Sequence, residues 1–211
     1  MSVDLETHYR AVTAHLTESL SDGSITWCRA SSADELAVSL GGELSSAAPR
    51  SLFSADEESQ YHLLRSGRGR TLVIGELSSW FVVLEPGDWI AVDALPRLSG
   101  AGEAVSLVIG DTLGHHHVHY ARDGRQVCRF RWGAEPDGDA SRLEHLLSGL
   151  SLTSGLPSLD EASRLPSLAA WKTHALILAE RLTDVRLTVD WLNREHTRYF
   201  CRPFDSEPPR L

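Results

Sequence analysis

Hydrophobic spacing divides the chain into a helical start, a strand-rich middle and a helical end. In "DLETHYRAVTAHLTESL", Leu5, Tyr9, Val12, Leu16 and Leu20 recur every three or four residues, the repeat of one helix face. "SDGS" interrupts the pattern, and "ITWCRA" follows as a short strand with Ile25 and Trp27 on one side. Two further helices begin with a capping box, a serine and a glutamate three apart that satisfy each other's backbone N–H groups. They are Ser32 with Glu35, stopped by Gly41, and Ser54 with Glu57, stopped by Gly67.

In the middle, "RTLVIGE" reads as a buried strand and "SWFVVLEPGDWIAV" as two strands about a Pro-Gly-Asp turn. "DALPRLSGAG" is a short helical or irregular link, and "EAVSLVIG" another strand. "HHHVHYARDGRQVCRFRW" is a hairpin with Asp123-Gly124 at its tip, the pair that two-residue turns favour. Helices follow in "SRLEHLLSGL", in "SLAAWKTHALILAERLT" with Ser167 as its cap, and in "TVDWLNREH", before a frayed "RPFDSEPPRL". The sum is an α+β fold, a mainly antiparallel sheet with flanking helices and a helical C-terminal part. Three units are expected: an N-terminal amphipathic helix over 1–22, an α+β core over 23–150, and a helical segment over 151–211 packed on it. The first helix, set off by "SDGS", is a candidate docking or dimer element.

Composition narrows the function. An apolar share of 42% and a charged share of 23% are those of an ordinary globular protein. No apolar run approaches the roughly 20 residues that span a bilayer, and "MSVDLETHYR" lacks the apolar core of a secretory signal. The net charge of −9 argues against a nucleic-acid partner, since phosphate contacts need a basic face. "RSGRGR", Arg65 to Arg70, reads as a solvated loop before it reads as an anion site. Cys28, Cys128 and Cys201 are odd in number and far apart, as reduced thiols of a cytoplasmic protein would be.

The motifs "WCRASSADELAVSLGG", "GELSSWFVVLEPGDWI", "LPRLSGAGEAVSLV", "YARDGRQVCRF" and "ALILAERLTDVRLT", in that order, resemble an actinobacterial domain-of-unknown-function family over residues 20–190. The resemblance implies a stand-alone cytosolic protein and carries no catalytic residues with it. The family pattern is aromatic or aliphatic before "YARDG", where this chain has "HHHVH".

That departure is the one constellation with metal chemistry in it. On a strand, His115, His117 and His119 share a face, but the outer two stand about 13 Å apart at roughly 3.3 Å per residue. Zinc–nitrogen bonds of about 2.0–2.1 Å let one ion take two of them only. With Arg122 opposite Arg125, an unbroken ladder sets His119 opposite Cys128, His117 opposite Phe130 and His115 opposite Trp132. His117, His119 and Cys128 then form a zinc set with an open fourth position. One bulged residue moves Cys128 to the other face and dissolves it. The plainer reading is a partly exposed strand face that happens to carry imidazoles.

Glu85, Asp88 and Asp93 are candidate acid–base groups, and otherwise the markers of a turn. No GxSxG elbow, P-loop or GxGxxG is present. The expectation is a small interaction or accessory protein that binds a protein or peptide partner. The rival is a metal-dependent enzyme, hydrolytic in type, that uses the His-rich hairpin.

Overall fold

The structure, a computed structural model, describes residues 4–20, 22–66, 70–110, 116–152 and 167–201. Among them are nine strands in one antiparallel sheet and eight helices. In chain order the helices are α1 (Leu5–Ser19), α2 (Ala33–Ser39), α3 (Leu52–Ser66), α4 (Ile90–Asp93), α5 (Leu95–Leu98), α6 (Glu144–Leu147), α7 (Leu168–Thr183) and α8 (Val189–Leu192). The strands are β1 (Gly23–Cys28), β2 (Ala48–Arg50), β3 (Arg70–Leu77), β4 (Trp80–Pro86), β5 (Glu103–Ile109), β6 (His117–Arg122), β7 (Arg125–Arg131), β8 (Asp137–Gly138) and β9 (His196–Cys201). The sheet runs β2-β9-β3-β4-β1-β5-β6-β7-β8, an α+β fold as the patterning predicts.

Alternation along the strands sorts the buried residues onto two faces. Ile25, Trp27, Val82, Leu84, Val105, Leu107, Val118 and Phe130 join α1, α3, α7 and α8 in one cluster. Cys28, Leu72, Ile74, Val83, Ala104, Ala121 and Tyr199 join α2, α4 and α5 in the other. The first face lies under the long helices and the second under short ones.

The α1 stripe is not available for docking. Tyr9, Val12 and Leu16 are buried against the body, and the Tyr9 hydroxyl donates to Glu180 Oε2 at 2.7 Å. Arg186 holds the same carboxylate through Nη2 at 2.7 Å, while the Leu187 N–H donates to the Tyr9 hydroxyl at 3.3 Å. "LAERLTDVRLT" is therefore a clamp: Glu180 fastens α1 to α7, Asp184 turns the chain in a left-handed conformation, and the Thr183 carbonyl accepts the Trp80 indole N–H at 3.0 Å.

Of three expected caps, two form as read and one is displaced. Ser32 accepts the Glu35 N–H at 3.1 Å and opens α2. α3 begins earlier than its capping box, because Ser51, three residues before Ser54, accepts the Ser54 N–H at 3.2 Å. Ser167 caps α7 as expected.

Three elements differ from the sequence reading. The hairpin partner of β4 is β3, reached through a tight turn with Ser78 at φ 59°, and not a strand beyond Pro-Gly-Asp. The "WIAVDALPRL" stretch is helical, since Ala91, Ala94, Leu95 and Leu98 fall at helical spacing and bury together. The C-terminal segment is not purely helical either: β9 enters the sheet between β2 and β3. Gly75 on β3 makes room for what precedes β9. A Cβ there would stand 2.3 Å from the His196 ring and 2.6 Å from Trp191. "RPFDSEPPRL", Gly67 and His115 lie outside the described residues.

Candidate functional site

The hairpin turn is as expected, with Asp123 and Gly124 at φ 50° and 78°, the left-handed pair of a type I′ turn. Arg122 pairs with Arg125 and Ala121 with Gln126, but the next pair is Tyr120 with Cys128. Val127 is an extra residue, and the ladder beyond it is shifted by one. His119 faces Arg129, and His117 faces Arg131. The short edge strand β8 fixes the irregularity: the Asp139 N–H donates to the Val127 carbonyl at 2.9 Å. Gly138 fits beneath only because it lacks a Cβ, which would lie 2.4 Å from that carbonyl.

The bulge separates the expected zinc set. Cys128 stands beside Tyr120 and Phe130 in the apolar cluster, on the face away from His119. Burial pushes its thiol up to about 12, which disfavours the thiolate a metal needs. Cys28 and Cys201 are likewise buried and pushed up to about 12. His117 and His119 do share a face, ring centroids 5.5 Å apart. His119 is 7% exposed, and burial, then the charges of His117 and Arg129, push it down to about 4. It is a neutral imidazole at neutral pH, with Gln126 Nε2 3.3 Å from its Nδ1. Among the described residues no three His, Cys, Asp or Glu side chains stand close enough to hold one ion. His116, on the other face, packs edge-on to Trp132 with centroids 6.0 Å apart.

A row of buried polar groups continues from His119 across the second face. Ser106, its neighbour on β5, accepts from the Thr26 hydroxyl at 2.8 Å. Two residues from Thr26 along β1, on the same face, Ser24 donates to Glu85 Oε2 at 2.6 Å. Glu85 is fully buried and also accepts the Ala91 N–H, at 3.1 Å to Oε2. Burial outweighs these donors and pushes its carboxyl up to about 7. Its work is visible in the chain path: by holding Ala91 it folds "EPGDWIA" back into α4. Asp88 is engaged by Arg70 at 2.8 Å, and Asp93 is exposed on α4, so the three carboxylates do not converge on one point. Arg70 is the described end of "RSGRGR"; the other arginine side chains of that run lie outside the described residues.

An open concavity lies elsewhere, at the β2 end of the sheet. A groove of about 670 Å³ is lined by Pro49, Arg50, Ser51, Ser54, Glu57, Glu58, Tyr61 and Glu195. It exists because β2 is only three residues long and α3 starts immediately after it, leaving the helix alongside the sheet edge. Inside, Glu58 takes Arg50 Nε at 2.6 Å and Arg198 Nε at 3.0 Å. The second contact is an ion pair without hydrogen-bond alignment, so Glu58 Oε2 and Arg198 Nε are buried without a hydrogen-bond partner. Tyr61 on the wall is 53% exposed, and Phe53, two turns earlier on α3, is 59% exposed. The capping box at Ser54 and Glu57 points to a helix there and to no binding role. The signal was there in Phe53, Glu57 and Tyr61 at i, i+4, i+8, an aromatic-bearing stripe on the side of α3 opposite Leu52 and Ala55.

No helix among the described residues is long and apolar enough to cross a membrane. No curated protein and no solved structure matches this chain. A family model does match it, over residues 12–206, and the chain belongs to that family of unknown function, DUF6461.

Proposed function

We propose that this protein works by binding a protein or peptide partner, and that the groove between β2 and α3 receives it. The observation that carries the reading is the open groove with the half-exposed Tyr61 ring in its wall, and a second half-exposed ring, Phe53, two turns away on the same helix. Buried aromatic anchors supply much of the energy at protein interfaces, so rings left in water beside a concavity are poised to gain by being covered. The groove walls offer carboxylates, hydroxyls and a tyrosine, the mixture of apolar body and polar tip that peptide grooves use. Pro49 withholds a backbone N–H from the edge strand, which discourages indiscriminate strand pairing there and leaves recognition to side chains.

An array of immobilised ten-residue peptides of varied composition tests this. The wild-type protein should retain a subset of them, and Phe53→Ala/Tyr61→Ala should lose that subset while keeping its circular dichroism. Equal retention by the double variant, or no retention by the wild type, overturns the proposal.

A further inference from the structure

We infer that the groove selects a cation, the guanidinium or ammonium of an arginine or lysine side chain on the partner; this rests on the groove being the binding site. The cation that lines the groove, Arg50, and Arg198, which reaches the same Glu58 from outside the lining, are both paired. Arg50 gives Nε to Glu58 and an Nη1 hydrogen to the Pro49 carbonyl at 2.8 Å. Arg198 is buried, gives Nη1 to the Ser46 carbonyl at 2.8 Å and lies over the Phe200 ring at 3.8 Å. Both pair with Glu58, which offsets the positive charge they would present to a ligand anion.

The anions are less spent. Glu57 projects from α3 and Glu195 stands on the opposite rim, before β9; both are exposed, and neither forms an ion pair among the described residues. Tyr61 stands one helical turn beyond Glu57, so a side chain entering the groove meets an aromatic ring and a carboxylate together. A cation gains from both, through attraction to the ring face and through charge-assisted hydrogen bonds. A neutral side chain gains only the ring, and an anion is repelled by both rims. The chain's net charge of −9 adds a long-range field that favours a basic segment as it approaches.

The test uses acetyl-Gly-Ser-X-Ser-Gly-amide with X arginine, lysine, citrulline or glutamate. Each is titrated into the ¹⁵N-labelled full chain at low ionic strength. The arginine and lysine peptides should shift the amides of Ser54, Glu57, Tyr61 and Glu195. Citrulline, with the shape of arginine and no charge, should bind at least about tenfold more weakly, and 0.5 M salt should weaken the arginine peptide further. Glu57→Gln/Glu195→Gln should cost the arginine peptide about tenfold and leave the fold unchanged, since both carboxylates are exposed. Asp93→Asn, outside the groove, should cost nothing. If citrulline or glutamate shifts the same amides as strongly as arginine, the cation is wrong while the groove stands. If no peptide moves the groove amides, both fall.

Discussion

The two faces of the sheet solve the same burial problem with different chemistry. On the first, Trp27, Val82, Leu107 and Phe130 meet α1 and α7 across an almost wholly apolar layer. On the second, Glu85, Ser24, Thr26, Ser106 and His119 sit under short helices, and each buried polar group needs a partner. Apolar burial is non-directional, so the first face tolerates repacking and draws its stability from area. Polar burial is conditional on geometry, so the second face fixes where chain segments go. Glu85 illustrates this: its carboxyl selects the turn into α4 by taking the Ala91 N–H. The contrast teaches that the buried ionisable groups here direct the chain, while the groove proposed to take a partner lies at the edge of the sheet.

The largest effect that would test this contrast lies on the first face. Trp171 on α7 is 1% exposed and belongs to the apolar cluster. Trp171→Ala should lower stability by about 3–5 kcal/mol through lost transfer energy and the cavity left behind. Its indole N–H, however, is buried without a hydrogen-bond partner. Trp171→Phe should then recover most of the loss, because the phenyl fills much of the space and buries no orphan donor. Urea denaturation of both variants reads this directly. Equal losses would mean that the N–H has a partner, and that the first face is less purely apolar than its lining suggests.

On the second face the two ionisable groups pull against each other as pH changes. Glu85 is pushed up from an ordinary 4.5 to about 7, so the native state keeps a proton that the unfolded chain gives up. Its contribution is full below about pH 4.5 and is lost as pH rises through about 7. His119 is pushed down from 6.5 to about 4, so the unfolded chain takes a proton that the native state refuses. Its contribution is full above about pH 6.5 and is lost as pH falls through about 4. At about 1.4 kcal/mol per pKa unit, each amounts to about 3 kcal/mol, and between pH 4.5 and 6.5 their opposite slopes with pH largely cancel. Glu85→Gln removes one side of the balance. Its stability relative to wild type should fall by about 3 kcal/mol between pH 7 and pH 4.5, measured by denaturant midpoints across that range. A difference that does not change with pH would show that Glu85 is ionised throughout.

How far these features could be read in advance differs by element, for physical reasons. The α7 helix with its Ser167 cap, the Ser32 cap and the Asp123-Gly124 turn are local, each set by residues within a few positions, and all are found where the sequence puts them. The bulge is not local. Val127 is extruded because its carbonyl meets the Asp139 N–H and because Gly138 can lie against it, and those residues follow eleven and twelve positions later. That single shift removes Cys128 from the histidines. β9 was hidden by Arg198, a buried arginine at the centre of "HTRYFC" whose charge is answered by Glu58 on a distant helix. "WIAV" looks extended by composition, and becomes helical through Glu85 and the spacing of Ala91, Ala94, Leu95 and Leu98. Of the groove, the sequence held the α3 stripe and nothing of its meeting with β2 and Glu195.

The smallest effect concerns the histidine pair itself. His117 is half-buried at the described start of β6, and its ring lies beside that of His119. His117 is only half-buried and belongs to neither apolar cluster, so His117→Ala should change stability by less than about 1 kcal/mol. Burial is the main reason that His119 resists protonation, and the charge His117 acquires in acid is the second. Without His117, the His119 imidazole should titrate at higher pH than in the wild type, still below the ordinary histidine value because burial remains. A ¹H–¹³C NMR titration of the imidazole carbons resolves the two rings and reads both shifts. An unmoved His119 would assign the whole depression to burial and to Arg129 across the ladder. A His119 that returned to the ordinary value would instead make the pair one coupled unit, with the second face less tightly sealed at β6 than at Glu85.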